Sequence, residues 1–261
     1  DFEVQKVDAS KAKHDHEQSM LLLDGVREHL SGKQGAPNRK SILEQLASFN
    51  PPYEASGRIT GVDLCILMDC TQSMGPYIHA AKETINAVVE DTKRSLLPDG
   101  NGQMRVAYVG YRDFSYDDDR MQAALDSRFI IHPFGTDVSA VRRVIEGGEA
   151  DGGGDIPEDV AGGLQEVNRL QWRPQAPGNG QLNLTIMVAD DPAHGAMYEE
   201  EDRTSEASSL KDKLWMRQAD GTFVQVNNAE YPDAGEELVK LLDKSPYFFF
   251  FACKVDQTHK M

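Results

Sequence analysis

Asp63-Leu64-Cys65-Ile66-Leu67-Met68-Asp69-Cys70-Thr71-Gln72-Ser73-Met74 is the stretch on which the fold turns. An unbroken apolar run ends in Asp-x-Thr-x-Ser, and helical spacing follows it. A run of this length bounded by polar turn residues suits a strand buried on both faces. Asp69, Thr71 and Ser73 then leave its carboxyl end, where open parallel sheets bind ligands. Two readings of these three residues stand side by side. In one they are hard oxygen donors for Mg²⁺, with Mn²⁺ or Ca²⁺ as alternatives. In the other Ser73 caps the next helix, and Asp69 and Thr71 are turn formers.

Working outward, Ile78, Ala81, Ile85 and Val88 give one apolar helix face running to about Ser95, and Pro98-Asp99-Gly100 ends it. Met104 to Tyr111 is a second apolar run, followed by Arg112-Asp113-Phe114 and an acidic knot at Asp117-Asp118-Asp119. Arg128 to Phe134 reads as a short strand, and Asp137 caps a helix carrying Val138, Val141, Val144 and Ile145. Asp151-Gly152-Gly153-Gly154-Asp155-Ile156-Pro157-Glu158-Asp159-Val160 opens a helix with Leu164, Val167 and Leu170 on its apolar face. Leu182 to Ala189 is another continuous strand, closed by Asp190-Asp191-Pro192-Ala193-His194-Gly195. A long polar segment from Ala196 to Tyr231 holds a short helix around Leu210–Met216. Leu238, Leu241 and Leu242 mark a last helix, and Tyr247 to Ala252 a last buried strand. Strands alternating with helices predict an α/β, Rossmann-like, doubly wound and mostly parallel sheet with helices on both faces.

Residues 1–58 are polar and mixed, with helical spacing at Leu23, Val26 and Leu30 and again at Leu43 and Leu46. Asn50-Pro51-Pro52 and Gly57 mark a linker. The expected division is a helical extension over 1–58 and one domain over 59–261. His14 and His16 lie in a charged, solvated stretch and read as surface residues rather than ligands.

The net charge of −16 comes from 27 basic and 43 acidic side chains. It argues against nucleic acid and anionic membranes, and fits cations and basic protein surfaces. No apolar run approaches the roughly 18 residues of a membrane helix. Three cysteines make an odd count, which suits a reducing, cytoplasmic compartment better than a disulfide framework. The start at Asp1 without Met reads as a mature form or a fragment.

Three polar clusters fall where strands end or helices begin: Asp69/Thr71/Ser73, the Gly152–Asp155 loop, and Asp190. Their convergence on one crevice favours a divalent-cation site. Asp69-Cys70-Thr71-Gln72-Ser73-Met74 resembles the D-x-[ST]-x-S motif of von Willebrand factor A (VWA) domains, their metal-ion-dependent adhesion site, MIDAS. Val109 to Asp113, Gly152 to Leu164 and Ala189 to Gly195 add a closer likeness to the A domains attached to alpha-kinases, the atypical Ser/Thr kinases. The likeness covers about residues 60–261, and Thr258 to Met261 resembles the opening of that group's final helix.

The resemblance implies a non-enzymatic, Mg²⁺-dependent module that engages an acidic group on a protein partner, in the targeting or regulatory part of an alpha-kinase-type protein. Ser73 and Thr71 would touch the metal, while Asp69 and Asp190 act through water or hydrogen bonds. The usual third ligand is a Thr after a Gly pair, whereas Asp155 follows Gly153-Gly154 here. Asp155 either replaces it as a ligand or forms a capping box with Glu158. Asp113 reads as a loop residue paired with Arg112, and His194 as a turn residue. The family's final helix and edge strand are expected to be absent.

Two alternatives remain. Asp69 resembles the nucleophile of aspartate-based phosphatases, but these use D-x-D, and Thr71 takes the second position. No nucleotide-binding loop occurs, and a kinase domain would have to lie outside this chain. The other alternative is an A domain that has lost its metal.

Overall fold

The computed structural model describes residues 59–97, 100–113, 118–153, 158–176, 179–191, 193–194, 214–227 and 230–253. The extension over 1–58 with its helices, and the chain after 253, lie outside the described residues.

The central strand β1 spans Gly61–Asp69 and is buried along its whole length. It pairs in parallel with β2 (Gln103–Tyr111) on one side and β4 (Gln181–Ala189) on the other. β3 (Phe129–Gly135) runs antiparallel to β2, and β7 (Tyr247–Ala252) runs parallel to β4. The five-stranded order is β3-β2-β1-β4-β7, a doubly wound, mostly parallel sheet. An antiparallel edge strand on such a sheet is common.

Alternation along β1 explains why both faces are covered. Val62, Leu64, Ile66 and Met68 pack with Ile85, Val88 and Val89 of α1 (Gly75–Leu96) and Val141 and Ile145 of α3 (Val138–Gly147). Cys65 and Leu67 point the other way, onto Val160, Leu164 and Val167 of α4 (Val160–Arg169) and Leu241 of α5 (Ala234–Leu242). Asp137 caps α3 by accepting from the Ser139 and Ala140 amides, as its sequence position predicts. Cys65 and Cys70 are buried and form no disulfide.

Four features differ from expectation. Asp118–Ser127 forms a helix, α2, where the acidic knot suggested a loop. The polar segment holds a hairpin of β5 (Leu214–Arg217) and β6 (Phe223–Val226), so Leu214 to Met216 is strand and not helix. Such four-residue, half-exposed strands leave no apolar run to read. β7 is an edge strand among the described residues, with Phe250 and Phe251 only half-buried. Arg128 precedes its strand, and its side chain is fully buried. Among the described residues, no helix is long and apolar enough to cross a membrane.

Candidate metal centre

The parallel register carries Asp69 level with Tyr111 and ends β4 beside them at Ala189. The loops after β1, β2 and β4 therefore leave the same edge of the sheet. β1 and β4 flank the point where strand order reverses, the usual ligand crevice of this architecture.

Asp69 is wholly buried. Its Oδ1 accepts from the Thr71 amide at 2.8 Å and from the Thr71 hydroxyl at 2.7 Å. The Ser73 hydroxyl donates to Asp190 Oδ1 at 3.0 Å, and Thr71 Oγ1 and Ser73 Oγ stand 3.1 Å apart. Ser73 does not cap a helix. Gln72–Met74 form a single 3₁₀ turn, and α1 follows with Met74 at its cap position and no side-chain capping bond.

The Gly-rich loop is clipped onto this turn. The Gln72 amide donates to the Gly152 carbonyl at 3.0 Å, and the Asp151 amide to the Cys70 carbonyl at 2.9 Å. Gly152 and Gly153 take φ of 80° and 86°, a region open to glycine at little cost. A Cβ at Gly153 would meet Glu158 Oε1 at 3.3 Å and the Thr71 Cβ at 3.5 Å.

Asp69, Thr71, Ser73 and Asp190 are thus brought together. Asp155 lies outside the described residues. α4 begins at Val160 with Asp159 as its cap, accepting from the Gly162 amide, so Glu158 is not the third residue of a capping box in that helix. Glu158 is instead buried at the crevice, its backbone bridged to Ala193 and its carbonyl accepting from the His194 amide. Asp113 pairs with His194 Nε2 at 2.8 Å and not with Arg112, whose guanidinium goes to the Ser127 and Glu149 carbonyls. Glu158 and the Asp113–His194 pair give no local sequence signal. Each looks like loop polarity until the strands align.

The crevice is strongly anionic. Burial pushes the Asp69 carboxyl up to about 7; its Thr71 bonds pull it back, and Asp190 and Asp191 push it further. Burial, then Asp113 and Asp69, hold Glu158 well above the usual carboxylate range. The donor set fits a hard divalent cation. Asp69 Oδ2 and Glu158 Oε2 are buried without a hydrogen-bond partner among the described residues.

Proton accounting points the same way. Each hydroxyl has one proton, and the carboxylates of Asp69 and Asp190 are the stronger acceptors. With both carboxylates ionised, the Thr71 and Ser73 protons go to Asp69 and Asp190, and the two hydroxyl oxygens stand 3.1 Å apart. Neighbouring ligands of an octahedral Mg²⁺ at 2.0–2.1 Å stand about 3.0 Å apart. Among the described residues, no three Asp, Glu, His or Cys side chains converge closely enough to hold a cation alone. Two of the donors in this site are hydroxyls.

No protein-family model matches the chain. It is 34% identical over 161 residues to the alpha-protein kinase vwkA of Dictyostelium discoideum, a match spanning 61% of this chain and 23% of the kinase. Among solved structures, the pilus adhesin SpaC of Lactobacillus rhamnosus GG aligns with a TM-score of 0.41 and 12% identity, over 70% of this chain and 23% of the adhesin. The conserved hypothetical protein BatB of Bacteroides thetaiotaomicron aligns with a TM-score of 0.31 and 11% identity, over 74% of this chain and 90% of BatB. The chain spans under a quarter of the kinase's length.

Proposed function

We propose that residues 59–261 form a VWA-type binding module with a MIDAS-like cation site, and that 1–58 are an appendage to it. Thr71 and Ser73 would hold the ion, with Mg²⁺ the best fit and Mn²⁺ or Ca²⁺ as alternatives. Asp69 and Asp190 orient the two hydroxyls by taking their protons. When bound, the cation supplies a positive centre for an acidic side chain of a protein partner. The observation that carries this reading is the convergence of the Thr71 and Ser73 hydroxyls, 3.1 Å apart, with the carboxylates of Asp69 and Asp190.

The similarity to vwkA supports placing the module in the targeting or regulatory part of an alpha-kinase-type protein. Kinase chemistry would then lie outside this chain. Asp69 is a poor phosphoryl acceptor, because it is wholly buried and its Oδ1 is held by Thr71. An odd count of three cysteines fits a cytoplasmic setting, and a charge of −16 disfavours nucleic acid as the partner.

The test is a thermal melt of the EDTA-treated protein with and without millimolar MgCl₂. A ligand at 100 times its dissociation constant stabilises by about 2.7 kcal/mol, roughly 5–10 °C in a domain of this size. The shift is expected in wild type and absent in Ser73→Ala. No shift in wild type would mark a fold without its metal and end this reading.

A further inference from the structure

We infer that Glu158 is a direct ligand of the divalent cation, supplying from the Gly-rich loop the third protein donor beside Thr71 and Ser73. The inference rests on the proposed cation site and adds a residue to it.

Three observations converge on Glu158. It is 2% exposed, and its Oε2 has no hydrogen-bond partner among the described residues. The Thr71 side chain lies against its carboxylate, and the point where a Gly153 Cβ would stand is 3.3 Å from Oε1 and 3.7 Å from Oε2. Gly153, at φ 86°, therefore lets the loop pass between Thr71 and Glu158 without a side chain to separate them. The backbone holds the carboxylate there, because Glu158 is bridged to Ala193 and accepts from the amides of Val160 and His194.

Among the described residues, the nearby charged side chains do not satisfy Glu158. Among the described residues, the charged neighbours that act on it most strongly are Asp113, Asp69 and Asp191, and all three repel it. His194 Nε2 is engaged by Asp113, and Arg112 turns to the Ser127 and Glu149 carbonyls. A buried carboxyl group among carboxylates either keeps its proton or is met by a cation. Thr71 and Ser73 are neutral donors, so among the described residues Glu158 would be the one anionic oxygen touching the ion. Asp69 and Asp190 act on it through the hydroxyls they hold.

Direct ligation depends on where the carboxylate reaches, whereas a field effect depends mainly on its charge. Glu158→Gln removes the charge, and Glu158→Asp keeps it but withdraws the group by one methylene. The experiment is calorimetric titration of the EDTA-treated full chain with MgCl₂ and MnCl₂, with circular dichroism to confirm folding. Both variants are expected to bind Mg²⁺ at least about 10-fold more weakly, at or beyond the loss seen for groups that only support a ligand. Glu158→Asp within threefold of wild type would reduce Glu158 to a field effect and overturn the inference. Glu158→Gln within threefold would overturn it outright. If Glu158→Gln does not fold, Glu158→Asp decides alone. Ser73→Ala separates the two claims. If it abolishes binding while the Glu158 variants bind normally, the cation site stands and Glu158 is not part of it. If wild type binds neither cation, both claims fall.

Discussion

Gly163 shows how tightly α4 sits on the sheet. A Cβ there would stand 2.9 Å from a Tyr111 ring carbon and 3.1 Å from a Leu67 methyl, both fully buried. Overpacking costs about 1–3 kcal/mol, against about 1 kcal/mol gained by replacing glycine in a helix. Gly163→Ala is therefore expected to destabilise, whereas Gly147→Ala, with nothing within 4 Å, should be neutral or stabilising in urea melts. Asp63, at the other end of β1, carries a pH prediction. Burial raises its carboxyl, but hydrogen bonds from Arg105 and Arg173 outweigh burial and leave it below the ordinary 3.8. A depressed folded value means the contribution is present above the unfolded value and lost as pH falls through the folded one. Unfolding free energy should thus fall on acidification below about pH 4, and Asp63→Asn should flatten that limb. At neutral pH the same variant should cost about 3 kcal/mol, since it breaks a buried ion pair held by the Arg105 Nε at 2.9 Å and the Arg173 Nε at 2.8 Å.

Between elements, the joint to test is Arg128, which is 1% exposed. Its guanidinium bonds the Asp159 carboxylate, the Trp215 carbonyl of β5 and the Tyr231 hydroxyl, and it stacks 4.8 Å from the Phe129 ring. One side chain thereby ties the start of β3 to the cap of α4, the hairpin and the approach to α5. Arg128→Met leaves Asp159 buried without its cation and should cost about 3–5 kcal/mol. Adding Asp159→Asn, which can still cap α4, should recover part of that loss, and a double-mutant cycle measures the coupling. This joint was not legible in the sequence. An arginine reads as surface, and its partners lie 31 and 103 residues downstream. By contrast β1, β2 and β4 announce themselves as apolar runs, and α1, α3, α4 and α5 as helical spacing. The same division holds at the crevice. Asp69, Thr71, Ser73 and Asp190 end recognisable strands or begin recognisable helices, but Glu158 acquires meaning only once β1 and β4 are neighbours.

For the whole molecule, the strand order ranks the stability of its parts. β1 is hydrogen-bonded on both sides and buried throughout, so its slowest amides should exchange only through global unfolding. Among the described residues β3 is a half-buried edge strand containing Pro133, which cannot donate to the ladder, and it should open locally first. This ranking turns cation binding into a spatial measurement. A ligand held only by the folded state slows exchange through global unfolding by its full stabilisation, about 100-fold at 100 times its dissociation constant. Local openings at β3 leave the crevice at the carboxyl ends of β1 and β4 intact, and should not respond. In hydrogen exchange followed by mass spectrometry, MgCl₂ should therefore slow β1 and β4 and leave β3 nearly unchanged, and Ser73→Ala should remove the difference. Uniform slowing of every strand would indicate a general salt effect. Slowing at β3 without β1 would place the ion elsewhere on the molecule.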